Sequence, residues 1–342
     1  MSTQNKDLDA LNKTLRRRNH LKTDIVSLAD NMYLDPEMDF VVTIPGIEDI
    51  YFIMSKLFEI QLAEKLGIPL PYFRRMKETN QDLLRSNVNG WLQNDPKKKY
   101  LIRGLVGEGT TADTARAFLS DSYNIIDDLR VLQAVQNSIE KSNREVYVQN
   151  YEISENRLYL NILSGTDFHN DVVAGFSVSN SETGQGAFEI RPRAVFMETG
   201  QSITINDSKF RKIHLGRKLK IGKVTGGDNT SVLLEAQIDQ AINDFLNNNH
   251  LKNTVAFYES LKGIKLKYNI DSLQNTFKAF NIPEKLRIEI LGKYMENLNH
   301  TSADIFDAIS SILPKLPPDE RYDVEGDLMS FLMKTKNYDK PA

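Results

Sequence analysis

With no cysteine among its 342 residues, this chain must draw any chemistry from carboxylates, five histidines and basic side chains. Disulfides, thiol nucleophiles and thiolate metal sites are excluded together. The densest cluster is Asp167-Phe168-His169-Asn170-Asp171. On an extended segment Asp167, His169 and Asp171 would face one way, and oxygen and imidazole groups so placed could hold Mg²⁺ or Mn²⁺ for phosphodiester hydrolysis, with Glu182 from a neighbouring loop. The plainer reading, a polar loop between strands, is the one adopted, so no cofactor and no catalytic residue is expected. Asp121, Asp127 and Asp128 read as a helix cap with first-turn acids that complement the helix dipole. Gly104, Gly107 and Gly109, followed by threonines, suggest a phosphate cradle. The lysine of a P-loop is missing, however, and no helix starts directly after them, which leaves a hairpin turn.

A second kind of chemistry lies between Lys209 and Lys223, where seven residues are Lys or Arg and none is acidic. In a chain of formal net charge −3 such a reversal of sign must be solvated, paired with acids elsewhere, or held against a polyanion. Arg191 and Arg193 share a strand face just upstream, and Phe210 could stack on a base. The expected nucleic-acid contacts are therefore Arg191, Arg193, Lys209, Phe210, Arg211, Lys212, His214, Arg217, Lys218 and Lys220, with Tyr123 as a second stacking candidate. His214 is read as a phosphate-side donor rather than a base.

The elements that position these groups follow from periodicity. Phe188, Ile190, Pro192, Ala194 and Phe196 alternate with Glu189, Arg191 and Arg193, the period of a half-buried strand. Val172 to Ser179 alternates likewise, and Asn180 to Gly186 between them has hairpin-loop chemistry with two glycines. A third strand carries Ile203 and Ile205 inward. Pro192 cannot donate to a ladder, so its strand must bulge or leave that side unpaired. Further hairpins are expected at 100–119 and 146–163. Helical periods are read over Leu8 to Met32, Ile47 to Leu66 with Gly67 as cap, Asn80 to Leu92, Ile125 to Lys141 capped by Asp121, and Val232 to Leu246. More helices follow to the C-terminus, and Trp91 is assigned to the core. The fold class is α+β: a central antiparallel sheet with packed helices, between a helical N-terminal region (1–95) and a helical C-terminal region (251–342), the core spanning 96–250. A composition of 40% hydrophobic and 26% charged residues is that of a globular chain, and no apolar run is long enough to span a membrane. The expected location is the cytoplasm.

The succession Gln61-Leu62-Ala63-Glu64-Lys65-Leu66-Gly67-Ile68-Pro69, Tyr72-Phe73-Arg74-Arg75-Met76, Asn87-Val88-Asn89-Gly90-Trp91-Leu92, Arg116-Ala117-Phe118-Leu119-Ser120-Asp121-Ser122-Tyr123, Asn180-Ser181-Glu182-Thr183-Gly184 and His214-Leu215-Gly216 resembles the phage/plasmid-related proteins of domain-of-unknown-function family nine-three-two. The likeness runs from Ile47 to Leu246, and where many members carry a Cys-Thr-Asn-Gly turn this chain has Met197-Glu198-Thr199-Gly200. It implies a mobile-element setting in a bacterial host, without an activity. Together with the basic segment it gives the expectation of a non-catalytic protein that binds nucleic acid, single-stranded DNA above all, in recombination or replication, by annealing and as a homo-oligomer. The alternatives are an interaction protein directed against a host defence or restriction factor, and a metal-dependent nuclease.

Overall fold

The structure, a computed structural model, describes residues 3–46, 49–107, 112–142, 144–204, 210–212, 220–223, 230–246, 248–266, 269–297 and 299–338. The α+β class is as expected, but the strands form two sheets. The first contains β1 (Lys22–Leu28), β2 (Met32–Leu34), β3 (Phe40–Val42), β4 (Ile50–Met54), β5 (Lys99–Leu105), β6 (Thr114–Ser120) and β13 (Gly222–Lys223), in the order β13-β1-β5-β6-β4-β3-β2. Its strands pair antiparallel except β4 with β6, which run parallel. The second contains β7 (Val146–Ile153), β8 (Leu158–His169), β9 (Val172–Asn180), β10 (Phe188–Phe196) and β11 (Ser202–Thr204), all antiparallel in the order β11-β10-β9-β8-β7, with β12 (Phe210–Lys212) also on β10.

The expected helix over Leu8 to Met32 is two elements, α1 (Thr3–His20) followed by β1. Thr23, Ile25 and Val26 are β-branched and favour the pleated ladder to β5 over a continued helix. The expected helix from Ile47 likewise begins later. Residues 47–48 lie outside the described ones, Ile50–Met54 is β4 with Phe52 and Met54 buried and Tyr51 and Ile53 outward, and the Ser55 side chain then caps α2 (Lys56–Lys65). Gly67 takes φ +69 just past that helix, as its position predicts. The N-terminal region thus holds strands as well as helices, and the first sheet draws on both sides of residue 95.

One face of this sheet packs against α2, α3 (Leu70–Thr79) and α4 (Gln81–Asn94). Phe40, Phe58, Phe118 and Tyr100 meet there with ring centroids 4.4 to 5.8 Å apart. Trp91, expected in the core, is 50% exposed on the outer side of α4, because Leu84, Val88 and Leu92 supply its inner stripe.

In the second sheet the apolar face of β8, β9 and β10 packs on α1, α5 (Asp128–Ser142) and α6 (Thr230–Phe245), with α7 (Asn248–Leu261) further along. The remaining helices, α8 (Ile270–Ala279), α9 (Glu284–Glu296), α10 (Ser302–Ser310) and α11 (Pro318–Tyr338), share a separate apolar core with α7. The α5 helix begins at Asp128 rather than near Asp121, which sits in a turn. On the outer side of β10, β11 ends with Thr204 opposite Arg193 and β12 begins with Phe210 opposite Ile190; residues 205–209 between them lie outside the described ones. Among the described residues, no helix is long and apolar enough to cross a membrane.

Every residue of β9 is buried: Val172, Ala174, Phe176 and Val178 lie under helices, and Val173 packs with Leu163, Val195 and Tyr147 of the neighbouring strands. At Gly175 an added Cβ would run into the Ile162 carbonyl oxygen and come within 2.7 Å of Leu163 Cδ2. Gly175→Ala is therefore expected to destabilise the protein by about 1–3 kcal/mol, the usual size of an overpacked core, as a lowered midpoint in urea.

Candidate functional site

Charged residues inside apolar strand patterns converge where the two sheets meet. Asp24 on β1, Arg103 on β5 and Arg116 on β6 interrupt otherwise apolar stretches, and Lys22 begins β1. Opposite them stands the β9–β10 loop, whose Asn180, Ser181, Glu182 and Thr183 are all buried. The expected surface hairpin turn is thus a plug seated on the first sheet. Gly184 takes φ +80, a conformation strained for any other residue, and an added Cβ would press on the end of the Leu119 side chain.

Glu182 is the centre of the plug. Its Oε1 accepts from Lys22 Nζ at 2.5 Å and from the Asp128 backbone N–H at 2.8 Å, and its Oε2 accepts from Arg116 Nη1 at 3.1 Å. Arg103, fully buried, donates to the Glu182 carbonyl (2.8 Å), to Asp24 (2.8 Å) and to Asp127 (2.7 Å), while Lys22 also reaches Asp127 at 2.9 Å. Neutral bonds complete the seat: Gln61 donates to the Thr183 carbonyl, and Tyr123 to the Ser181 carbonyl. Tyr123 is therefore a buried strut and not an exposed stacking ring.

Three cations, Lys22, Arg103 and Arg116, pair with three carboxylates, Asp24, Asp127 and Glu182, with Arg18 and Asp128 close by. Burial would raise the Glu182 carboxyl, but Lys22, Arg103 and Arg116, helped by Arg18, hold it well below the usual carboxylate range. Asp128 has no cation in direct contact among the described residues. Burial first, and the Glu182 charge second, push it up to about 7, against the bond it accepts from Asn180 at 2.7 Å. Asp127 and Asp128, expected as simple helix-start acids, are thus members of this network.

The charged face of β10 is also enclosed. The first turns of α11 lie over it, and Arg191, 7% exposed, donates to Glu189 at 2.6 and 2.9 Å and to the Tyr322 carbonyl at 3.1 Å, its guanidinium 3.7 Å from the Tyr322 ring centroid. Its donors serve the protein's own interior, which removes Arg191 from the expected nucleic-acid contacts. Arg193, on the same face, donates to the Ser177 hydroxyl at 3.3 Å and lines a cleft beside α11. Sequence alternation identified this face as polar but could not see its helix cover.

The described parts of the basic segment sit at the edges of the two sheets. Phe210, Arg211 and Lys212 form β12, with Arg211 in register with Glu189, while β13 at the other end pairs with β1 and leaves Lys220 and Lys223 exposed. Lys209, His214, Arg217 and Lys218 lie outside the described residues.

His169 ends β8, Asn170 turns with φ +55, and Asp171 is exposed in the tight turn to β9, while the Asp167 side chain is not described. Glu182 lies at the other end of β9, about 30 Å away at roughly 3.3 Å per residue, so it cannot join them. Among the described residues, no group of three His, Asp or Glu side chains could hold a metal ion. Comparison with family models, with curated proteins and with solved structures finds no match to this chain.

Removing Glu182 leaves buried cations uncompensated. Glu182→Ala should cost about 3–5 kcal/mol in chemical denaturation. Because the Glu182 pKa is depressed, its contribution is present above the unfolded value of about 4.3 and is lost as pH falls below it. Asp128 acts in the opposite sense. Between its unfolded value of about 3.9 and its folded value of about 7, the folded chain holds a proton that the unfolded chain has lost, so this contribution declines as pH rises through that window. Asp128→Asn should flatten that decline, gaining on the wild type by up to about 1.4 kcal/mol per pH unit when denaturation at pH 5 and pH 8 is compared.

Proposed function

We propose that the protein is a non-catalytic, cytoplasmic nucleic-acid-binding protein of a phage or plasmid, acting on single-stranded DNA in recombination or replication. The observation that carries this reading is the placement of the basic segment. Its described parts are outermost strands, β12 at the open side of β10 and β13 at the end of the first sheet. A run of seven cations without an acid suits the spaced phosphates of a single strand better than a carboxylate partner. The contacts assigned to phosphate are Lys209, Arg211, Lys212, Arg217, Lys218 and Lys220, with His214 as a further donor and Phe210 for stacking. The resemblance to phage/plasmid-related proteins supports the same setting, and ring-like self-association would align the segments of several copies.

The test is binding of the purified chain to labelled single- and double-stranded DNA across a salt series. Contact by all seven cations of the segment, Lys223 included, predicts a slope of log K against log salt of about −5, from roughly −0.7 per contact, and changing Arg211, Lys212, Arg217 and Lys218 to Ala should reduce it to about −2. Equal, weak binding by both proteins at low salt would remove the reading. The search would then turn to a host protein partner.

A further inference from the structure

We propose that the cleft between the polar face of the second sheet and the first turns of α11 is a binding site for one tetrahedral oxyanion of the phosphate or sulfate type, with Arg193 as its principal donor. Two neighbouring arginines on one strand face show the contrast from which this follows. Arg191 has a carboxylate in its plane, a carbonyl on its other edge and the Tyr322 ring against its flat face. Arg193 has one neutral hydroxyl, that of Ser177 at 3.3 Å. Among the described residues no carboxylate lies within ion-pair distance of it, and its Nε–H is buried without an acceptor.

A guanidinium carries five N–H donors in a fixed fork, and burying part of it without a counter-charge costs several kcal/mol. The neighbouring Arg321 has the same surplus. Its terminal nitrogens hold Glu152 at 2.9 and 3.4 Å, yet its Nε is also buried without a partner. Arg193 and Arg321 line the same cleft, together with Asn150, Asn161, Tyr322 and Glu325. The cleft is set at the start of the 21-residue α11, the positive end of that helix's dipole.

The cleft is open to solvent on one side and has room for a small oxyanion or a terminal phosphate. Charge restricts the occupant. Glu152 is neutralised by Arg321, which leaves Arg193 as the uncompensated cation and Glu325 as the opposing wall that keeps binding moderate. The proposed site uses none of residues 209–223 and does not depend on the nucleic-acid reading.

The test is calorimetric titration of the full chain with inorganic phosphate and with sulfate, using chloride of matched ionic strength as the control. Saturable one-to-one binding is expected, weakened about tenfold or more in Arg193→Gln, since a charge-assisted hydrogen bond is lost. In Glu325→Gln, a half-buried position where the change conserves shape, binding should tighten several-fold. The variant with Arg211, Lys212, Arg217 and Lys218 changed to Ala should bind phosphate as the wild type does, so loss of DNA binding and loss of this site are told apart. Comparing a 5′-phosphorylated with a 5′-hydroxyl oligonucleotide in that variant shows whether the anion is free or carried on a strand end. No saturable heat in the wild type would mean that water fills the cleft and would overturn the proposal. So would phosphate affinity unchanged in both Arg193→Gln and Glu325→Gln; if Arg193→Gln fails to fold, an unchanged affinity in Glu325→Gln does so alone.

Discussion

The buried carboxylate of Glu182 is the interaction on which the two-sheet arrangement rests. It is carried on the loop between β9 and β10, so the second sheet cannot be placed against the first without bringing a charge into the interior. That charge is tolerable only because Lys22, Arg103 and Arg116 arrive from three different places in the first sheet and its entry, and because Asp24 and Asp127 hold the cations in turn. A buried ion set of this kind adds little net stability over an apolar core of the same shape, but it penalises misdocking severely, since any displacement strands a charge. The sheets are therefore held in one register by electrostatics at their junction, while apolar burial stabilises each of them separately.

The same logic applies on a smaller scale under α11. The polar face of β8, β9 and β10 is roofed by a helix whose first turns contribute the Tyr322 ring, the Tyr322 carbonyl and Arg321, and Glu189 answers Arg191 from within the strand itself. Asn161 links Ser177 to Asn150 across the strands, so much of this face is satisfied by its own neighbours. Arg193 is the exception: it lies between a satisfied sheet and a helix start, its Nε–H has no acceptor, and unlike Arg321 it has no carboxylate partner among the described residues.

Much of the second sheet was legible in advance. Period-two alternation identified β9 and β10, and the turn at 154–156 located the β7–β8 hairpin. These are local properties, set by the pleat and by backbone donors. Where apolar residues matched more than one period, local reading failed: Ile50, Ile53, Met54 and Leu57 fit a helical spacing, yet the first three lie in a strand, because Phe52 and Met54 find an aromatic core on one side only. Trp91 misled for a related reason, since a helix places its neighbours on a different face from its own.

By itself, the sequence determined the fold class, the hairpins, the helix end marked by Gly67, the absence of thiol chemistry and the existence of a basic run. Those follow from residue type and spacing over a few turns or strands. The tertiary structure alone decided which charges were interior. Asp24, Arg103, Arg116 and Glu182 span 159 positions of the sequence and become one network only when two sheets meet. It also decided that Arg191 is consumed and Arg193 is not, because that depends on which side chain of a helix more than 120 residues later comes to lie above each of them. Pairing of charges is a property of distance in space, and alternation along a strand carries no information about what covers its face.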